Sequence, residues 1–263
     1  MNFGALIIGD EILLGRRQDK HFSRLIETLA LRGLALSFCE YLGDDPARIV
    51  STLQRTFASP DIVFCFGGIG ATPDDHTRQC VARAAEVPLK RHPEALAEIE
   101  ARFGASAYPH RVLMADLPEG ATLIPNPLNR IPAFSLWDHH FLPGFPELAW
   151  PMLDWVLDTR YLRLQHPAPR VDDAIIVRGA TESDLLTLMN ECISRFREAK
   201  LYSLPQYITA GRLIELGVRG PPAEVAAAIE FLKQGVAALG FDFSAAASHA
   251  VFPRFPQSDN CAA

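Results

Sequence analysis

The sequence is poor in positive charge and has no long hydrophobic run. Its 263 residues carry 25 Lys and Arg against 31 Asp and Glu, a net charge of −6. Proteins that bind nucleic acid usually show a basic face, so this balance argues against a nucleic-acid partner. No apolar stretch approaches the roughly 18 residues that span a bilayer, and the first residues lack the basic segment of a secretory leader. We therefore expect a cytoplasmic protein with no membrane partner.

Paired cysteines are also missing. The five cysteines are an odd number, and no two of them stand in a Cys-x-x-Cys spacing. That pattern matches neither a disulfide framework nor a zinc site, so we expect reduced thiols. With 49% hydrophobic residues, the chain has enough apolar side chains to build a core.

Apolar runs alternate with amphipathic segments in the first part of the chain. Residues 5–8, 34–42 and 61–66 read as strands, and the segments between them have helical spacing. This alternation predicts an α/β fold with a mostly parallel sheet and helices on both faces. Further helices are predicted near 77–86 and 93–103, and a strand pair at 133–137 and 140–142.

A second, smaller domain is predicted after a proline-rich linker near 165–169. The pattern there is β-α-β-β-α, which indicates an α+β domain. Its predicted strands are 171–178, 199–204 and 212–218, and its predicted helices are 182–197 and 222–239. The expected domains are therefore 1–158 and 170–244, followed by a poorly ordered tail at 245–263.

A glycine-rich segment follows the third strand. Gly67, Gly68 and Gly70 precede a predicted helix, so backbone N–H groups there can cradle an anion, with Thr72 and Thr77 adding hydroxyl donors. The alternative is a tight turn in which Asp75 caps the helix. The segment is neither a Walker A loop nor a Gly-x-Gly-x-x-Gly dinucleotide motif.

Pairs of carboxylates end the first three strands. The pairs are Asp10 and Glu11, Asp44 and Asp45, and Asp74 and Asp75. The carboxyl ends of parallel strands line the ligand crevice of an open α/β sheet. A carboxylate and a phosphate about 4 Å apart repel by about 4 kcal/mol at an effective dielectric of about 20. A divalent cation such as Mg²⁺ between them would relieve that repulsion. The alternative is that each aspartate caps its own helix.

Four ordered motifs carry a family resemblance. They are Gly9–Gly15, Gly43–Asp45, Gly67–Thr77 and Leu142–Pro146, supported by Pro118–Ala121 and Asn126-Pro127. Over about residues 3–155 the chain resembles the molybdopterin-binding domain of the competence-damage-inducible protein A (CinA) N-terminal family. The trailing domain resembles the small second domain of that family.

The resemblance implies a three-layer α/β domain and a molybdopterin or nucleotide ligand. Some members of the family resemble metal-dependent pyrophosphatases that act on ADP-ribose-like nucleotides. Related molybdopterin-adenylylating proteins use two aspartates, which match Asp44 and Asp75 here. The family's separate amidase domain does not fit in this chain, so amidase activity is not expected.

The expected site combines these residues. Asp44 and Asp75 would hold Mg²⁺ or another divalent cation, and Asp10 would join them as a catalytic residue. The phosphate- and nucleotide-binding residues would be Gly9, Glu11, Gly67, Gly68, Gly70, Thr72, Asp74, Thr77, Asn126, Pro143 and Gly144. The alternative function is a pterin- or nucleotide-binding module without hydrolytic activity. A homodimer through the alanine-rich helix at 222–239 also stays open.

Two departures from the family pattern affect the rim of this site. The stretch 126–134 loses two glycines, and Asn129 is expected to take the left-handed turn there. Asp19-Lys20-His21 replaces an Asn-Thr-Asn, and its Lys20 and His21 would either meet a phosphate or form a solvated helix start. His139-His140 is not expected to bind a metal, because adjacent strand residues point to opposite faces.

Overall fold

The computed structural model describes residues 2–165, 171–208 and 211–246. The chain divides into two compact units, Met1–His166 and Pro167–Ala263.

The first unit alternates strands and helices. Its strands are β1 (Phe3–Ile8), β2 (Leu36–Leu42), β3 (Ile62–Phe66), β4 (Leu89–Arg91), β5 (Asp116–Pro118), β6 (Thr122–Ile124), β7 (Ala133–Leu136) and β8 (His139–Leu142). Its helices are α1 (Asp10–Leu13), α2 (His21–Leu31), α3 (Pro46–Phe57), α4 (Thr77–Ala84), α5 (Pro93–Phe103) and α6 (Pro146–Arg160). Short α1 and the fifteen-residue α6 were not predicted from the sequence.

Six strands form the central sheet, in the order β2-β1-β3-β8-β7-β6. The β1–β2, β1–β3 and β3–β8 pairs are parallel, and the β7–β8 and β6–β7 pairs are antiparallel. The predicted α/β fold with a mostly parallel sheet is therefore confirmed. Strands β4 and β5 form a separate two-stranded ribbon.

Two hydrophobic cores lie on opposite faces of this sheet. Along β1, Leu6 and Ile8 pack into one core with residues of α3, α4 and α5. Ala5 and Ile7 pack into the other core with residues of α2 and α6. Because β1 is buried on both faces, its side chains are apolar throughout instead of alternating with polar ones. The result is the three-layer sandwich that the family resemblance implies.

The second unit is an antiparallel sheet with two helices. Its elements are β9 (Val171–Arg178), α7 (Glu182–Arg195), β10 (Lys200–Ile208), β11 (Gly211–Gly220), α8 (Pro222–Ala238) and β12 (Phe243–Ala245). The strand order is β10-β11-β9-β12. A core of its own joins this sheet to α7 and α8, since Val177, Leu185 and Leu232 all belong to it.

The predicted tail at 245–263 falls mostly beyond the described part of the chain. Ala245 ends β12, and residues 247–263 lie outside the described residues. Among the helices described, none is long and apolar enough to cross a membrane.

Candidate functional site

Four parallel strands deliver their carboxyl ends to one edge of the central sheet. β2, β1, β3 and β8 are neighbours, so the loops that follow them meet there. Two of those loops continue the strand ladder: Gly9 N donates to the Leu42 carbonyl at 2.9 Å, and Gly67 N donates to the Leu142 carbonyl at 3.0 Å. The chain runs from β1 outward to β2 and then crosses back to β3, which makes the β1/β3 boundary a topological switch point. Ligands of open α/β sheets bind at such points.

A cavity of about 510 Å³ opens at this boundary. We call it the main cavity. The expected site residues that line it are Gly9, Glu11, Asp44, Gly67, Gly68, Gly70, Thr72, Asp74, Asp75, Asn126, Pro143 and Gly144. Residues from five separate segments, those that follow β1, β2, β3, β6 and β8, therefore share one concave surface. Asp10 and Thr77, which the sequence also placed in the site, are not among its lining residues.

The glycine loop has a backbone that only glycine fits. Gly67 has φ +106°, and a Cβ there would lie 2.1 Å from the Ile8 carbonyl oxygen. Gly68 has φ +67°, and its Cβ would lie 2.3 Å from the Thr77 hydroxyl. Positive φ is strained for residues with a side chain, and the close approaches exclude one outright. These glycines let the chain pass directly over the end of β1.

Thr77 fixes this loop from below instead of facing a ligand. Its side chain is fully buried, its hydroxyl donates to the Gly67 carbonyl at 3.0 Å, and its N–H donates to the Gly68 carbonyl at 2.9 Å. Because that hydroxyl proton is used inside the loop, the expectation of a ligand-facing donor at Thr77 is corrected.

Arg78 is a loop-fixing residue that the sequence reasoning missed. It is only 3% exposed, and its guanidinium donates to the carbonyls of Ile69 at 3.1 Å, Gly70 at 2.7 Å and Asp116 at 3.0 Å. A further bond goes to the carbonyl of Leu113. Burial lowers the pKa of Arg78, and the charges of Asp116 and Asp75 oppose that shift.

The positively charged guanidinium of Arg78 thus lies behind the glycine loop. Its hydrogen bonds occupy carbonyl oxygens that would otherwise repel an anion. One signal for Arg78 is visible in the sequence. A basic residue in the first turn of a helix is unfavourable to the helix dipole and needs another reason to be there.

Asp75 belongs to the loop and does not cap α4. Its Oδ2 accepts hydrogen bonds from Thr72 N at 2.8 Å and from the Thr72 hydroxyl. The residue before α4 is His76, which makes no side-chain capping bond. The alternative in which Asp75 is a helix cap is therefore wrong, and its carboxylate instead shapes the wall of the main cavity.

Asp10 and Asp44 bond to each other's backbone. Asp10 N donates to Asp44 Oδ2 at 2.9 Å, and Asp44 N donates to Asp10 Oδ1 at 3.1 Å. This exchange ties the end of β1 to the end of β2, and the catalytic role expected of Asp10 stays a prediction. Asp45 has the simpler role of capping α3, since its carboxylate accepts from Ala47 N at 2.9 Å.

The surroundings of Asp44 disfavour its negative charge. Burial raises its pKa, and the charges of Asp10, Glu11 and Asp74 raise it further, while the hydrogen bond from Asp10 N lowers it. The carboxylates are thus close enough to disfavour one another's charge, and a bound cation would remove that penalty.

Among the described residues, the carboxylates at the main cavity do not by themselves form a metal site. Within residues 2–165, 171–208 and 211–246, no group of three or more His, Cys, Asp or Glu side chains is arranged to hold a metal ion. Asp44 and Asp75 nevertheless both line the main cavity and offer hard oxygen donors. Mg²⁺ is commonly held by one or two carboxylates together with substrate phosphates and water, so the donor set fits a cation that arrives with a phosphate ligand.

The stretch 126–134 contributes another part of the wall of the main cavity. Asn126 Oδ1 accepts from Leu128 N at 3.0 Å and from Asn129 N at 3.3 Å. The left-handed residue is Arg130, with φ +65°, and not Asn129 as expected. Asn129 instead accepts from Ile131 N through its Oδ1 at 3.0 Å. Side-chain hydrogen bonds of Asn126 and Asn129 thus hold this turn.

Lys20 is exposed, but His21 is only 5% exposed, so the solvated helix start is wrong for His21.

The two histidines of β8 point to opposite faces, as predicted. His139 Nε2 bonds with the Thr56 hydroxyl at 2.9 Å, and His140 bonds with Ser135 and Tyr161 at 2.8 and 2.7 Å.

Residues 4–163 match a family model described as a probable molybdopterin binding domain. A CinA-like protein from Gloeobacter violaceus is 40% identical over 136 residues, which are 51% of this chain and 32% of that protein. A second CinA-like protein, from Syntrophotalea carbinolica, is 32% identical over 190 residues, covering 69% of this chain and 46% of its own length. The chain therefore spans less than half the length of these curated relatives.

A solved structure shares the fold. It is the protein CinA with unknown function from Thermoplasma acidophilum, 26% identical with a TM-score of 0.55, and the match covers 60% of this chain and 98% of that one.

Proposed function

The chain belongs to the family of probable molybdopterin binding domains, and from that premise we propose that its first unit binds the phosphate-bearing part of a pterin or nucleotide in the main cavity. The observation that carries this proposal is the meeting of the glycine loop with the acids of β1 and β2 around one volume of about 510 Å³. The loop supplies backbone N–H groups, and its glycines have no side chains that would keep a phosphate away from them. The buried Arg78 supplies positive charge behind the loop.

The finer proposal is hydrolysis of a phosphoanhydride in an ADP-ribose-like nucleotide. Asp44 and Asp75 would hold a divalent cation such as Mg²⁺, which would supply Lewis-acid polarisation of the phosphate oxygens. The loop amides would fix the phosphate, and Glu11 would accept a proton from water at the cavity wall. Asp10 would keep the Asp44 backbone in place through their reciprocal bonds.

A second candidate is a binding module without hydrolytic activity. It is favoured by Asp75 Oδ2, which Thr72 already occupies, and by the lack of a three-residue metal cluster within the described ranges. Such a module would bind the same class of ligand without hydrolysing it.

Calorimetry with AMP, ADP-ribose and molybdopterin, each with and without Mg²⁺, tests the binding proposal. We expect at least one ligand to bind wild type and to lose affinity in Gly68→Ala. A folded wild-type protein that binds none of the three would contradict the proposal.

Hydrolysis of ADP-ribose, FAD and NAD with Mg²⁺, Mn²⁺ or Co²⁺ separates the enzyme from the binding module. We expect Asp44→Asn to abolish turnover, whereas Glu191→Gln, which removes an exposed charge in α7, should leave it unchanged. Ligand binding without turnover in wild type would establish the second candidate.

A further inference from the structure

A second cavity, of about 420 Å³, shares two residues with the main cavity. We call it the rear cavity. Asn126 and Pro132 line both cavities, and both belong to the connection between β6 and β7. We call that connection, residues 125–132, the wall loop.

Neighbouring residues of the wall loop face different cavities. Asn129 and Ile131 line the main cavity, whereas Arg130 between them lines the rear cavity. The other side of the rear cavity is formed by residues of α5, namely Glu94, Ala97 and Glu98. Protein interiors are normally close-packed, so a segment with open space along two sides is supported by little packing.

The ends of the wall loop are fixed, and its middle is not. Ile124 and Ala133 face each other in the β6–β7 pair, and both are fully buried in the same core. Of the residues that the structure describes between them, none belongs to either core of the first unit. Segments with few buried apolar contacts open more easily than the elements that hold them.

The wall loop is also tied to itself, so it can move as one body. Besides the side-chain bonds of Asn126 and Asn129, the Asn126 carbonyl accepts from Arg130 N at 3.1 Å. Prolines at three of its eight positions restrict its backbone further. These bonds survive a displacement of the whole loop.

One hydrogen bond joins this loop to the element across the rear cavity. Arg130 Nε donates to Glu98 Oε2 at 2.8 Å, and within the described part of the chain the other hydrogen bonds of residues 125–132 stay inside the loop. The two side chains are 59% and 41% exposed, and an exposed ion pair shifts an equilibrium by about fivefold at most. Arg130 also has a φ of +65°, which is unfavourable for a residue with a side chain.

We propose that the wall loop is a movable partition, which the Arg130–Glu98 pair holds in place and which moves toward α5 when that pair opens. The main cavity then gains volume from the rear cavity. The movement follows from the fold alone. Its consequence, that larger ligands enter when the loop moves back, rests on the proposed function.

Relaxation dispersion of ¹⁵N nuclei in the full chain measures the movement, because it reports exchange on the microsecond to millisecond timescale. We expect exchange at the amides of Leu128 and Asn129, and none at Leu123 and Phe134 in the paired strands. Glu98→Gln should raise the population of the displaced loop by about two- to fivefold, since it removes the ion pair.

Two further variants of α5 complete the test. Glu94→Gln removes a carboxylate from the same cavity, but not the one paired with Arg130, and should match wild type. Ala97→Phe should suppress the exchange, because this exposed position lets the larger side chain occupy the rear cavity. Loop exchange that is the same in wild type, Glu98→Gln and Ala97→Phe, or that is absent in Glu98→Gln, overturns the proposal.

Stopped-flow binding tests the consequence for ligands. FAD is much larger than AMP, so its association rate should rise by about two- to fivefold in Glu98→Gln and fall in Ala97→Phe, while that of AMP stays as in wild type. If both ligands bind and the ratio of their rates is the same in every variant, the proposal is overturned. If neither binds wild type while the loop exchange responds to Glu98→Gln, the proposed function fails and the movable partition stands.

Discussion

Acidification should destabilise the first unit through His139. This side chain is 2% exposed, its Nε2 bonds with the Thr56 hydroxyl, and its ring contacts Phe57. Burial lowers the pKa of His139 from 6.5 to about 4, against the charges of Asp138 and Asp61. The folded protein therefore keeps the ring neutral at a pH at which the unfolded chain protonates it.

The sign and size of the effect follow from proton linkage. Below pH 6.5 the unfolded ring binds a proton that the folded ring does not, so the free energy of unfolding falls as pH falls, until about pH 4. Each pH unit in this window costs about 1.4 kcal/mol, so His139 lowers stability by about 2.5 kcal/mol between pH 8 and about pH 4.5. His140 adds to the loss in the same direction, because burial lowers its pKa well below the usual value.

Urea unfolding followed by tryptophan fluorescence measures this loss. All three tryptophans, Trp137, Trp150 and Trp155, lie in the first unit, so the signal reports that unit. Carboxylates titrate in the same range, but their contribution to the pH dependence of stability is the same in wild type and His139→Gln, so it cancels in the comparison. The glutamine amide can keep the hydrogen bond to Thr56. We expect the variant to lose about 2.5 kcal/mol less than wild type on acidification. His110→Gln, at an exposed ring, is the control and should behave as wild type.

An identical pH dependence in wild type and His139→Gln would refute the reasoning. It would mean that the ring is protonated in the folded protein at pH 4.5, and that burial in β8 does not exclude the charge.

The remaining predictions concern the loop and its acids. Gly67→Ala should lower the Tm and abolish phosphate binding, since its Cβ would lie 2.1 Å from the Ile8 carbonyl oxygen. The control is Gly240→Ala, which is also at positive φ but has open space around it. It should lower the free energy of unfolding by no more than about 1–2 kcal/mol in chemical denaturation and leave binding intact. Arg78→Met should destabilise the first unit by about 3 kcal/mol in the same assay, because buried carbonyls lose their hydrogen-bond donors. It should also weaken phosphate affinity in calorimetry, and full affinity in a folded variant would contradict a role for Arg78 in shaping the glycine loop. Asp44→Asn should reduce the Mg²⁺ dependence of nucleotide affinity, measured by titration with and without the cation, and an unchanged dependence would exclude Asp44 as a ligand.

Some features were predictable because their causes are local. The strands β1 and β3 are short apolar runs, and α3 starts at Pro46 directly after its cap Asp45. Periodicity and turn chemistry act over a few residues, so they can be read without tertiary contacts. Helix α6 escaped prediction since it is apolar on more than one face and contains Pro151.

Other features depend on which neighbour a side chain finds. Asp10 and Thr77 match the expected motif, yet they bond to Asp44 N and to the Gly67 carbonyl and stand outside the lining of the main cavity. A motif records residue type and spacing, but not which way a carboxylate or hydroxyl turns.

The amino-acid sequence by itself determined the alternation of strands and helices, the glycines after β3 and the acids at the strand ends, because each depends on backbone preference and short-range pattern. Tertiary structure alone decided that Arg78 holds the loop and that His21 is buried with an unpaired nitrogen. Their partners lie far along the chain, Leu113 at a separation of 35 residues and Gly144 at 123. Such contacts arise only when the chain folds and brings distant segments together, and no local preference specifies them.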